Sequence, residues 1–299
     1  MEIMHFYFRM SFSNRTYFVV QSHRGAGDLS TDNTLEAFEL GWSMGTIPEA
    51  DVRTTRDGVI VAFHDNHLAR LVKEPGPGLE NATVADISWR RLSGLDVGSW
   101  KGAEFSGHRV PRLADVFKCM RGRPERQLYM DIKAADLREL ASVVETYGTG
   151  PQVIFASTDY PVIEKWIALV PNGRTLLWMG MGGRPDESHV EERFAELRKI
   201  GFRGISQLQV HVHLKLPLAE IRRETRDPFL LRDEFLIQTA KELEERGILF
   251  QALPWEGASE AIYWKLLDLG VQSFATNRPD ITLRALQGYE PPSAGKFSA

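Results

Sequence analysis

The sequence predicts an α/β fold, a (β/α)8 barrel of the TIM type with a small insertion after its second strand. Three observations carry this. Short β-rich runs alternate with longer amphipathic segments, which is the pattern of repeated βα units on a parallel sheet. Eight such runs fit into about 250 residues, the usual size of such a barrel. One gap, residues 66–112, is too long for an ordinary βα loop and reads as an insertion over one end of the barrel.

The strands are expected at 16–22 (TYFVVQS), 48–53, 127–132 (QLYMDI), 152–156 (QVIFA), 174–179 (RTLLWM), 203–210 (RGISQLQV), 247–253 (GILFQAL) and 271–275 (VQSFA). Helices are expected at 32–44, 136–147, 159–169, 187–200, 233–246 and 258–269. The insertion holds "EPGPG", a short helical piece near 86–93 and "GSWKGAEFSGHRVP". A single domain over 16–288 and a loose tail over 289–299 complete the expected organisation.

Composition narrows the function. Of 299 residues, 43% are hydrophobic and 25% charged, as in ordinary soluble globular domains. A net charge of −4 argues against a nucleic-acid partner, which needs a basic face. Cys119 is the single cysteine, so no internal disulfide can form. The N-terminus is patchily apolar, but Glu2, His5, Arg9 and Arg15 interrupt it, and it makes a poor signal peptide. No apolar run approaches a membrane span. The expectation is a cytoplasmic enzyme without stable membrane insertion.

"TIPEADVRTTRDGVIVAFHD", residues 46–65, is the most informative stretch. Residues i and i+2 of a strand share a face, so Glu49 and Asp51 point one way while Ala50 and Val52 face the covering helices. Asp57-Gly58 is a two-residue hairpin signal. A turn on those two residues pairs 56 with 59 and places His64 directly opposite Asp51. Paired carboxylates beside an imidazole suit a hard divalent cation with an acid–base group next to it. A solvated edge hairpin is the alternative.

Further groups converge. "SHRGAGDLSTDNTLEAF" puts His23 and Arg24 at the end of the first strand, the face where such barrels carry their active sites. Asp32 or Thr31 can cap the helix expected to start near Asn33, with Glu36 placed for a capping box. In "QLYMDIKAAD", Asp131 and Lys133 share a face, and Met130 and Ile132 take the helix side. Inward charge on two strands is foreign to a barrel filled by apolar layers, and it is costly unless paired or metal-bound. Three carboxylates, one divalent cation, Arg24 and Lys133 leave a charge of +1, suited to a monoanionic group such as a phosphodiester.

In combination, "HRG", six residues, "DNT", then "EAD" and "RDGVIVAFHD" resemble the glycerophosphodiester phosphodiesterase family. "VPRLADVF" and the closing "GVQSFATNRPD" are similar to later segments of the same family. The resemblance implies a (β/α)8 barrel that hydrolyses glycerophosphodiesters, small-molecule substrates, to glycerol 3-phosphate and an alcohol, using one divalent cation, Mg2+ or Ca2+. It assigns His23 and His64 as the acid–base pair, Arg24 and Lys133 as phosphate contacts, and Glu49, Asp51 and Asp131 as metal ligands. Trp255 and Glu256 follow the seventh strand at the active end, a position from which they could shape the alcohol pocket. Departures are Asp131 for a glutamate, Asp32 for the glutamate of ENT, Asn277 for an aspartate and Ala258 for an asparagine. Which histidine is acid, whether water or a substrate hydroxyl attacks, and the oligomeric state stay open.

The D-x-K strand and "EAD" also resemble sphingomyelinase D, and a lysophospholipase D-like lipid activity is a second alternative. A non-catalytic phosphate-binding barrel is a third. The lipid readings call for an apolar rim, for which Trp89, Trp100, Phe105 and Trp178–Met181 are candidates, though core or pocket wall is the expectation. His211 and His213 share a strand face and are taken as pocket lining or surface. Glu256 is placed beside Trp255. His67, His108 and His189 are given no role.

Overall fold

The computed structural model describes residues 18–74 and 76–292. Thr16 and Tyr17 of the first expected strand, the rest of the N-terminal segment and most of the expected tail lie outside the described residues. The parallel strands are Val19–Ser22 (β1) and Ile47–Thr54 (β2), followed after Ile60–Ala62 (β3) by Leu128–Ala134 (β4), Val153–Ser157 (β5), Arg174–Met179 (β6), Gln207–Val212 (β7), Leu249–Pro254 (β8) and Ser273–Thr276 (β9). β1 pairs in parallel with both β2 and β9, which closes eight strands into a barrel. The ninth, β3, is antiparallel and pairs with the outer part of β2.

The helices are Leu35–Ser43 (α1), Trp89–Leu92 (α2), Leu113–Met120 (α3), Leu137–Tyr147 (α4), Tyr160–Leu169 (α5), Ser188–Lys199 (α6), Asp233–Glu245 (α7), Glu260–Asp268 (α8) and Pro279–Gln287 (α9). All but α2 follow a barrel strand in the βα pattern. α3 and α9 were not expected from the sequence. Neither has a side-chain cap, and α9 begins at a proline, which fits the first helical turn without a donor to lose.

Alternation along the strands sorts the chain into layers. Ala50, Val52, Met130, Leu208, Val210, Phe250 and Phe274 join the core between sheet and helices. Their neighbours Gln21, Tyr129, Gln207, Gln209, Gln251 and Ser273 are buried on the other face. Tyr129 donates its hydroxyl to Gln207 Oε1 across the barrel at 2.7 Å, and Gln251 Nε2 donates to Ser273 Oγ at 3.0 Å. The expected apolar filling is therefore replaced in part by a hydrogen-bonded polar layer. "QLQ" at 207–209 carried that alternation openly.

Three local expectations are corrected. The hairpin loop has three residues: Thr55 N bonds Val59 O at 2.9 Å and Gly58 N bonds Thr55 O at 3.0 Å, with Gly58 at φ +81°. That left-handed residue suits glycine and gives the bulged three-residue loop. The ladder shifts by one, to Val52↔Ala62 and Thr54↔Ile60, and Asp51 O accepts from Phe63 N at 2.7 Å. His64 is not the direct partner of Asp51. α1 starts at Leu35, and its cap is Thr34, whose Oγ1 accepts from Ala37 N at 3.2 Å, rather than Asp32 or Thr31. Such a cap contributes about 1 kcal/mol. β7 begins at Gln207, because Arg203 and Gly204 lie in a turn containing Phe202 at φ +53° and Gly204 at φ +75°.

Residues between β3 and α3 pack a small core of their own against Val61 of β3, with Phe63, Leu68, Leu71, Val72, Leu79, Val84, Ile87, Leu92, Val97 and Val110. Trp89 and Trp100 lean on it. Among the described residues, no helix is long and apolar enough to cross a membrane.

Candidate active site at the barrel mouth

The C-terminal ends of β1, β2 and β4 gather the charged residues that the sequence picked out. Glu49, Asp51 and Asp131 each offer one carboxylate oxygen, and these lie within 4.8 Å of one another. All three side chains are buried. The parallel register explains the meeting, since Asp51 and Asp131 are paired across β2 and β4 and Glu49 lies two residues earlier on the same face.

The surrounding groups hold this cluster in place. Lys133 Nζ donates to Asp131 Oδ2 at 2.7 Å and lies 3.2 Å from Asp51 Oδ1. Asn33 grips Asp51 twice, Nδ2 donating to Oδ2 at 2.7 Å and Oδ1 accepting from the Asp51 amide at 2.9 Å. The Arg24 amide donates to Glu49 Oε2 at 2.7 Å. Its guanidinium donates to Asp32 Oδ2 at 2.9 Å, and its Nε lies 3.7 Å from Asp51 Oδ2. Arg24 and Asn33 both have left-handed backbones, at φ +51° and +55°, which is strain of the kind that collects at functional sites.

The electrostatics are unequal. Burial, then Asp51 and Asp131 beside it, pushes the Glu49 carboxyl well above the usual carboxylate range. Burial raises Asp131 too, against the pull of Lys133. Asp51 would also be raised by burial, but Lys133, His64, His23 and Arg24 hold it below its ordinary value. Asp51 Oδ1 is buried and makes no well-formed hydrogen bond, with the Lys133 ammonium 3.2 Å away as an ion-pair partner. Three crowded, buried carboxylates form a donor set that fits a hard divalent cation.

Two imidazoles flank the cluster. His23 Nδ1 is 2.6 Å from Asn277 Oδ1, and its Nε2 is 4.0 Å from Glu49 Oε2. Burial, with Arg24 adjacent, lowers the His23 pKa. His64 Nδ1 is 2.6 Å from Asp65 Oδ1. Burial would raise Asp65, but hydrogen bonds from His64 and Arg70 hold it far below the carboxylate range.

The opposite side of the mouth is aromatic. Trp178 at the end of β6 donates Nε1 to Asp131 Oδ1 at 3.3 Å. Its ring stacks on His211 of β7, with centroids 5.0 Å apart and planes 7° apart. His211 stacks in turn on Trp255 after β8, at 4.9 Å and 20°. Burial, then His213, His23 and Lys133, lowers His211 to about 4. His213 Nδ1 meets Glu256 Oε1, whose other oxygen accepts from the Leu214 amide at 2.9 Å. Trp255 is 48% exposed.

Sequence reasoning did not identify Asn33 or Arg70 as site residues, and it took His211 only as lining. Of the rim candidates, Met179 and Met181 are core residues, and Phe105 packs edge-on against His108. His108 is hydrogen-bonded through Nδ1 to Thr31 Oγ1 at 2.7 Å.

Known proteins share this architecture. A Bacillus subtilis protein named as a candidate glycerophosphodiester phosphodiesterase, YhdW, is 38% identical over 98 residues, which is 32% of this chain and 38% of that protein. The human lysophospholipase D GDPD1 is 26% identical over 279 residues, 86% of this chain and 82% of its own length. The structure of an Oleispira antarctica phosphodiesterase in complex with the product sn-glycerol-3-phosphate superposes with a TM-score of 0.66 at 20% identity, covering 90% of this chain and 97% of that one. The model of the glycerophosphoryl diester phosphodiesterase family matches residues 23–281, most of the chain. The chain belongs to the glycerophosphoryl diester phosphodiesterase family.

Proposed function

We propose that the chain hydrolyses glycerophosphodiesters to glycerol 3-phosphate and an alcohol, with one divalent cation, Mg2+ or Ca2+, on Glu49, Asp51 and Asp131. The observation that carries this reading is the three-carboxylate cluster with His23 beside Glu49, His64 within electrostatic reach of Asp51, and Arg24 and Lys133 against it. When bound, the cation supplies charge stabilisation to the phosphoryl oxygens. Arg24 and Lys133 hold the remaining phosphoryl charge.

The partners behind the two histidines divide their work. Asp65 is a carboxylate bonded to Nδ1 of His64, the partner that suits an imidazole giving its Nε2 proton to the departing alkoxide. Asn277 is neutral and accepts from Nδ1 of His23, leaving Nε2 to take the proton of the attacking group, water or a substrate hydroxyl whose cyclic phosphate water then opens. The test uses two leaving groups. Glycerophosphocholine turnover falls about 100- to 10,000-fold in both His23→Ala and His64→Ala. With a p-nitrophenyl diester, whose leaving group needs no proton, His64→Ala recovers most activity and His23→Ala does not. The reverse pattern exchanges the two roles, and full activity of either variant on glycerophosphocholine removes that histidine from the pair.

In this reading the alcohol packs on Trp255 and the Trp178–His211 stack, which supply a flat aromatic surface beside the carboxylates. A lysophospholipase D-like reading is favoured by one observation, the exposed Trp255 and Leu218, at 48% and 38%, with Leu218 lying against Gly257. Turnover of lysophosphatidylcholine in place of glycerophosphocholine would make that the better reading.

A further inference from the structure

Arg70 lies on the insertion, in a turn where the amides of Leu71 and Val72 bond Leu68 O at 3.0 and 2.9 Å. Leu68, Leu71 and Val72 are anchored in the insertion's own core. The guanidinium reaches from there to two carboxylates. Its Nε donates to Asp65 Oδ2 at 2.5 Å and its Nη2 to Asp32 Oδ2 at 2.8 Å. Asp65 holds His64 through its other oxygen, and Asp32 Oδ2 also takes Arg24 Nη1. Trp100 covers the guanidinium at 5.4 Å from ring centroid to Cζ. Two more contacts fix the insertion on the 27–34 loop: Lys101 Nζ donates to Ser30 O at 2.5 Å, and His108 meets Thr31.

We propose that Arg70 is a positioning residue, and that its single guanidinium sets His64 through Asp65 and Arg24 through Asp32. The inference rests on the reading of His64 and Arg24 as groups that act on the phosphodiester. A planar fork can bond two carboxylates at once in fixed directions, which an ammonium cannot do. Neither carboxylate is then free to rotate, so the imidazole and the Arg24 guanidinium keep their orientation before substrate arrives. The insertion is thereby a brace for the catalytic groups, although it contributes none of them itself. The Arg70 side chain is 38% exposed, so its replacement is expected to leave the fold intact.

Steady-state kinetics on glycerophosphocholine separate the two arms. Arg70→Ala is expected to lower kcat about 10- to 100-fold, the usual cost of losing a supporting partner, and to raise KM as well. Asp65→Asn is expected to reproduce the kcat loss alone, and Asp32→Asn the KM rise alone. In the Arg70→Ala/Asp65→Asn double variant, kcat is expected to be no lower than in Asp65→Asn, because the two act in series. Arg70→Lys keeps the charge and should lose as much kcat as Arg70→Ala. Wild-type kcat and KM in Arg70→Ala, multiplying losses in the double variant, or full activity in Arg70→Lys would each overturn the proposal. Absence of turnover in the wild type would instead overturn the phosphodiesterase reading, and this role with it.

Discussion

The mouth of the barrel has two unlike halves. On β1, β2 and β4 it is a shelf of carboxylates, cations and imidazoles tied by short hydrogen bonds. On β6, β7 and β8 it is a stack of flat rings. The halves meet at Trp178, whose Nε1 donates to Asp131 Oδ1 and whose ring lies under Lys133 Nζ. The difference suits a diester, which presents the same charged phosphoryl group in every substrate and a different alcohol in each. A rigid electrostatic half is matched to the constant part. Stacked aromatic surfaces bind by area and tolerate variation, which fits the variable part.

This comparison can be broken. Variants in the charged half should reduce turnover for every substrate alike, and variants in the aromatic half should change the ranking of substrates. The largest effect is expected from Glu49→Gln or from chelation with EDTA. Either removes several kcal/mol of charge stabilisation, on the order of a thousandfold in kcat or more, equally for glycerophosphocholine and glycerophosphoethanolamine. The same Glu49→Gln variant should melt at a higher temperature than the wild type when both are metal-free, because it relieves the crowding that raises Glu49. Thermal unfolding in EDTA checks this, and a lower melting temperature would show that the cluster is not strained.

Trp255→Ala comes next. It should raise KM about tenfold for substrates with a large alcohol and much less for those with a small one, with kcat nearly constant. A uniform kcat loss across substrates would move Trp255 into the charged half. The smallest effect concerns pH and His211. Its folded pKa of about 4 lies below the unfolded value, so the unfolded chain binds the extra proton between those two points. Stability from this group is therefore complete above the unfolded value and is lost as pH falls towards 4. His211→Phe keeps the flat ring without titrating. In urea unfolding, the wild type should lose about 1–2 kcal/mol more than this variant between pH 7 and pH 5.

The charged half was legible because it is built from period-two spacing. Glu49 with Asp51 and Asp131 with Lys133 each declare a shared face, and the parallel register of β2 and β4 brings the two pairs together. The hairpin was less legible. Asp-Gly serves two-residue and three-residue loops alike, and only the left-handed Gly58 inside a longer loop decides the register. His64 nonetheless reaches Asp51 electrostatically, because β3 ends at Ala62 and the chain leaves the ladder before His64. Asn33 was hidden by its own backbone. A left-handed asparagine ahead of α1 looks like a helix start in sequence, yet it supplies both hydrogen bonds to Asp51. Arg70 had no signal at all, since a lone arginine in a loop gives no hint of two carboxylates assembled from distant segments. The stack could be read only in part: Trp178 and His211 lie on two strands and Trp255 follows a third, and no spacing links them.

The contact between His23 and Asn277 has a consequence for how competence is acquired. The two residues lie 254 positions apart, and Gly27 passes so close to the Asn277 carbonyl that a Cβ there would sit 2.2 Å from the oxygen. The His23 amide also bonds Thr276 O at 3.0 Å. His23 is thus oriented at the seam where the last strand docks on the first, the pairing of greatest sequence separation and highest loop-closure cost. A chain still lacking β9 can lay Glu49 and Asp51 beside Asp131, but its first imidazole lacks the bonds to Asn277 and Thr276 that orient it. The carboxylate shelf can form early, whereas His23 is set only when the ring is complete.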